Sequence, residues 1–219
     1  MRAQARPPRR KWPWIVVAGL LVAAAIAVTL WYTSQHPATP AAPTSAPTTS
    51  AAPAAEPTGC LVPGQDVQML LDTQKKAPHS TTGAVEFAAA LLRWLHQYPN
   101  PSTEDAAIAQ REVMASTSDY DLVEALKDNP NTSNALVPND TDYHLTTGIN
   151  NYLVESYSDS AASITLNGTV FVNGAINPQL VIATTYALVW EKDAWRVDSS
   201  SRPEPGRLAA VGKPFTGGC

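Results

Sequence analysis

Cys60 and Cys219 are the only two cysteines in the 219-residue chain. Two distant thiols without a nearby histidine cluster supply too few ligands for a structural metal. In an exported domain the same pair reads as a disulfide joining the two ends of the fold. The four histidines, His36, His79, His96 and His144, show no metal-ligand spacing, and the chain has no H-E-x-x-H, G-x-S-x-G or phosphate-cradling glycine loop. An acid–base pair would have to be assembled from Asp119, Asp121, Asp142 or His144, which share no motif. His96 reads as a boundary or surface residue of a helix, and His79 as a loop residue. The chain is therefore expected to be no enzyme and to carry no cofactor and no metal. Tyr186, Trp190 and Trp195 remain. At strand spacing they read first as sheet core, and otherwise as concave-face aromatics receiving a peptide or lipid.

Charge narrows the partners. Residues 1–13 carry five Lys or Arg and no acid, whereas residues 60–219 hold ten Lys or Arg against eighteen Asp or Glu, a difference of −8. An acidic domain without a basic cluster is poorly suited to a phosphate backbone, so nucleic acid is not an expected ligand.

Residues 14–32, from Trp14 to Tyr32, run without a charge. As a helix this segment reaches about 28 Å, the thickness of a bilayer's hydrocarbon core. Trp12 and Trp14 mark one end, Trp31 and Tyr32 the other, where amphipathic rings favour the headgroup level. The basic residues before the run place the N-terminus in the cytoplasm and the rest outside. A cleaved signal peptide is disfavoured, because the run is long and ends in Trp-Tyr rather than in small residues. Residues 33–59 then hold six Pro, eight Ala and nine Ser or Thr. Such a composition buries too little apolar surface to fold and reads as an extended linker. The expected organisation is a basic cytoplasmic tail (1–13), a transmembrane helix (14–32), a disordered linker (33–59) and an extracytoplasmic domain (60–219).

Within that domain helices are expected first. Ser80 and its neighbouring threonines offer N-cap hydroxyls ahead of a helical apolar period over 83–97. Ser102, with Asp105 three positions on, starts a second helix reaching about residue 115. A third is expected over 119–127, followed by a polar loop over 131–142. Strands are expected at 151–157, 163–172, 179–191 and 194–199, rich in Val, Ile, Thr, Tyr and Trp. A two-residue turn at Lys192-Asp193 would set Trp190 opposite Trp195. Asn167-Gly168 and Asn173-Gly174 both suit a hairpin, and the sequence does not choose between them. Helices followed by strands imply an α+β domain.

Three helices, a curved antiparallel sheet and the closing segment LVWEKDAWRV resemble the cone of the nuclear-transport-factor-2-like superfamily. Together with the basic tail, single span and Pro/Ala/Thr linker, the layout resembles bitopic membrane components of conjugation and type IV secretion machines. It also resembles actinobacterial membrane proteins in which a T-P-x-G-A segment opens the long helix. Here that stretch is Ser80-Thr81-Thr82-Gly83-Ala84, without the proline. The resemblance implies a scaffold or interaction domain of a cell-envelope system, meeting the bilayer, other envelope proteins and other copies of itself. The alternative is a small-molecule or lipid pocket: a carrier, an auxiliary protein of lipid import, or an isomerase- or cyclase-type enzyme.

Overall fold

The computed structural model describes residues 55–219. Four helices come first: α1 (Val67–Lys76), α2 (Thr81–Leu95), α3 (Thr103–Glu112) and α4 (Leu122–Asp128). Each begins on a side-chain cap. Asp66, Ser80, Ser102 and Asp121 accept the amides of Met69, Gly83, Asp105 and Glu124, relieving N–H groups that a helix start leaves unpaired. The central α2 is buried around its whole circumference from Gly83 through Trp94, and all but Glu86 and Arg93 of that stretch is apolar or small. A helix this apolar must be covered on all sides, and it forms the axis of the core.

The strands are β1 (Tyr143–Thr146), β2 (Asn151–Tyr157), β3 (Ala161–Val172), β4 (Ala175–Glu191) and β5 (Ala194–Ser201). A short α5 (Arg207–Val211) and a two-residue β6 (Lys213–Pro214) follow. They make one antiparallel sheet in the order β5-β4-β3-β2-β6, with β1 also on β3. β1 pairs with the second half of β3 and β2 with the first, so the two lie end to end along one side of β3, separated by residues 147–150. The segment after α3 covers part of the β5 edge: Val197 exchanges backbone bonds with Val113 and Ala115 at 2.9 and 2.8 Å. Phe87, Leu91 and Leu92 of α2 share one core with Ile164, Leu166, Leu188 and Trp195 of the sheet.

Asn173-Gly174 closes the β3–β4 hairpin, both residues having positive φ as a two-residue turn requires. Asn167-Gly168 lies inside β3 instead. A Cβ at Gly168 would come within 3.0 Å of Leu145 and 3.4 Å of Leu92, so this glycine permits close packing. Lys192 and Asp193 form the other turn, and Trp190 stands directly opposite Trp195 as expected.

This architecture corrects the expected three-helix nuclear-transport-factor-2-like cone behind a transmembrane helix. Among the described residues the sheet has six strands, and four helices precede it, with a fifth in the tail. The additional helix α1 follows the Asp66 cap. The short strands β1 and β6 take their form from pairing with β3 and β2 rather than from their own pattern. No helix among the described residues is long and apolar enough to cross a membrane. The apolar run 14–32 and most of the linker lie outside the described residues.

Candidate functional site

Two charged residues of α2 face inward. Glu86 and Arg93 are seven positions apart, which on a helix places them two turns apart on one side. Both are almost fully buried, and both grip the extended segment that leads into the domain. The Glu86 carboxylate accepts four bonds: from the Thr58 amide at 2.5 Å, its hydroxyl at 2.8 Å, and the Gly59 and Leu61 amides at 3.2 Å. The Arg93 guanidinium donates to the carbonyls of Gly64 at 2.9 Å and Val62 at 3.0 Å. Burial, opposed by the Glu86 carboxylate, lowers the Arg93 pKa to about 10, so the guanidinium stays cationic at neutral pH. Buried charges persist when hydrogen bonds replace water, and here the backbone of residues 58–64 supplies those bonds.

The C-terminal tail fastens the same segment. Cys60 and Cys219 are joined by a disulfide, their Cα atoms 5.3 Å apart. Thr147, in the break between β1 and β2, donates its hydroxyl to the Gly59 carbonyl at 2.9 Å and accepts the Cys219 amide at 3.4 Å. The Thr216 amide donates to Pro57 at 3.1 Å. Residues 57–64, the tail and α2 thus form a clasp at the point where the Pro/Ala/Thr linker joins the domain.

A second feature is a cavity of about 340 Å³ between the end of α2, α4 and the β4–β5 pair. Leu95, Leu126 and Ala183 form its apolar part, with His96, Tyr186 and Arg202 among its polar residues. Tyr186 is 2% exposed, and its hydroxyl has no hydrogen-bond partner. Burial drives that phenol far above its ordinary range, and the nearby Thr184 hydroxyl, outside bonding geometry, opposes this only weakly. His96 donates from Nδ1 to the Thr132 carbonyl, and burial lowers its pKa from the ordinary value against the weaker pull of that bond. A neutral ring donating from Nδ1 leaves Nε2 as an acceptor.

The lowered His96 pKa has a stability consequence. Below about pH 6.5 the unfolded chain protonates this ring while the folded ring stays neutral, so stability is full above that pH and falls as pH drops. The limb is at most about 1.4 kcal/mol per pH unit until the folded ring also titrates. His144, half-buried and lowered for the same reason, adds in the same direction. His96→Gln should flatten, without abolishing, the Tm loss between about pH 6.5 and 5. An unchanged limb would show that the ring is already charged in the fold.

Of the aromatics singled out from sequence, Tyr186 lines the cavity, whereas Trp190 and Trp195 lie elsewhere. Trp190 stacks on His79 with centroids 4.0 Å apart, and Trp195 meets Trp190 edge-on at 5.2 Å. Trp195 donates its indole N–H to the Pro78 carbonyl at 3.1 Å, so this cluster seats the start of α2 on the hairpin. Asp121 caps α4, and His144 stacks on Phe171. Neither these residues nor Asp119 and Asp142 line the cavity. Among the described residues no group of three or more His, Cys, Asp or Glu is placed to hold a metal ion. Glu86, Arg93 and His96 were not legible as site residues. The signal that points to the first two is their place on a helix with no polar face.

Comparison with curated proteins and with solved structures gives no match. The family model described as a domain of unknown function, DUF8175, matches residues 78–213, more than half of the chain. The match takes in every cavity residue and both Glu86 and Arg93, and it leaves the two cysteines outside. The chain belongs to the DUF8175 family.

Proposed function

We propose that this domain is an extracytoplasmic scaffold or interaction module of a cell-envelope transport system, conjugative or secretory, anchored in the bilayer by residues 14–32. The observation that carries the reading is the clasp. A disulfide, a buried carboxylate and a buried guanidinium all secure the short segment where the linker meets the fold. A disulfide that persists fits an oxidising compartment outside the cytoplasm. A tethered domain needs a firm attachment there more than anywhere else. The β3–β4 hairpin offers a surface for a partner, with Ile176 and Val181 exposed on it.

Protease added to spheroplasts is expected to remove the C-terminal domain, and a photo-crosslinker at Ile176 should recover a transport-system subunit or a second copy of the chain. A domain protected from the protease would sink the proposed topology. Crosslinks to neither class of partner would sink the scaffold role.

A second reading, a small-molecule-binding domain, is favoured by the cavity of about 340 Å³.

A further inference from the structure

Strand β4 runs well past its neighbour. β5 pairs with it only over residues 185–191, so residues 175–184 have β3 on one side and no strand on the other. Among the described residues the backbone of 181–184 bonds to β3 alone. Successive residues of an antiparallel ladder aim their N–H and C=O groups to alternate sides, so half of this stretch presents unpaired groups outward. Ala183 and Thr184 border the cavity of about 340 Å³, so the space beside this edge is unfilled. Pro178 and a bulge at 178–180 interrupt the strand before Val181, and Ser201 occupies the edge at Thr185. Edges are ordinarily blunted by charge. The part of β2 beyond its pairing with β6 carries Glu155, ion-paired with Arg207 at 2.7 Å. β4 has no such guard, because residues 160–190 hold no Asp, Glu, Lys or Arg, and Val181 is 40% exposed.

We propose that two copies of this chain pair antiparallel through residues 181–184, joining their sheets across a two-fold axis. The pairing rests on the interaction-module reading above and names a second copy as the occupant of its hairpin surface. Charge selects that occupant. Residues 60–219 carry a difference of −8, so two copies repel along most approaches and meet at least cost along an uncharged edge. Symmetry fixes the register. Opposed residues must both point toward the partner or both away, so the axis passes through a residue and not between two. Centred on Ile182, it sets Val181 of one copy opposite Ala183 of the other. Centred on Ala183, it would need Thr185, which Ser201 already holds. So short a ladder is weak by itself, and two copies tethered to one bilayer gain the effective concentration it needs.

The test places the full-length chain in phosphatidylcholine vesicles, with copies labelled at the N-terminus by donor or acceptor. Energy transfer is read as the chain is diluted in lipid. Copies should associate, and more tightly as salt rises, because screening weakens their mutual repulsion. Val181→Lys should weaken association about tenfold or more while leaving the Tm unchanged. Ile176→Lys, on the far side of the bulge, should weaken it less than Val181→Lys does. Amide exchange within 181–184 should be slower in the associated chain than in the diluted one. Exchange that does not slow overturns the pairing whatever the variants do. If Val181→Lys leaves association intact, the copies meet elsewhere and the pairing is overturned. If the chain stays monomeric at every density, self-pairing falls, while a transport-system subunit crosslinked from Ile176 would still uphold the scaffold reading.

Discussion

Glu86→Ala should lower the free energy of unfolding by about 3–5 kcal/mol, the scale for removing one member of a buried charged set. The carboxylate is 3% exposed and is the common acceptor for three backbone amides and a hydroxyl of residues 58–61. Truncation leaves those donors without partners and leaves the Arg93 guanidinium, 2% exposed, without its nearest counter-charge. Urea denaturation with an unchanged m-value measures the loss directly. Limited proteolysis should also open the chain ahead of Gln65 in the variant before it attacks the sheet. A loss under about 1 kcal/mol, the scale of a surface pair, would mean that the disulfide and the remaining bonds hold the segment without Glu86.

Cys219→Ser is the second large effect, expected to cost about 2–5 kcal/mol. The bridge closes a loop spanning a sequence separation of 159. In the chain-entropy picture a loop of that length removes about 5 kcal/mol of freedom from the unfolded state, the upper end of the range. Cys60→Ser should match it, and the double variant should cost no more than either single one. Losses that add would show that each sulfur contributes through its own packing and not through the bond. Combining Cys219→Ser with Glu86→Ala should give a loss different from the sum, because both changes release the same residues.

Much of the fold was legible where a local signal and a tertiary demand coincide. The Ser80 cap with the period after it located α2, and the Trp190–Trp195 register followed from a two-residue turn. Strand β2 agrees with its expected bounds, and β3, β4 and β5 begin or end within a few residues of theirs. The elements that escaped are those whose reason lies elsewhere in the chain. β1 is four residues long and exists because the far half of β3 lacks a neighbour, and β6 is two residues laid against β2. The cavity escaped for a related reason. Its residues come from α2, α4, the loop after α4, β4 and the end of β5, and no spacing in one dimension gathers them. His96 follows the apolar period and reads as a boundary or surface residue. It is half-buried, its ring donating to the Thr132 carbonyl of the loop after α4.

The disulfide has a consequence for the order of events in synthesis. Cys60 is made long before its partner, and at ordinary elongation rates a sequence separation of 159 takes about 8–30 s to synthesise. Throughout that interval the thiol of Cys60 has no native partner, and any bond it forms with another molecule must later be exchanged. The disulfide therefore cannot guide early collapse. The bond is a closing step, taken only once residue 219 has been added, and until then the segment has only hydrogen bonds to hold it, among them those of Glu86, Arg93 and Thr147.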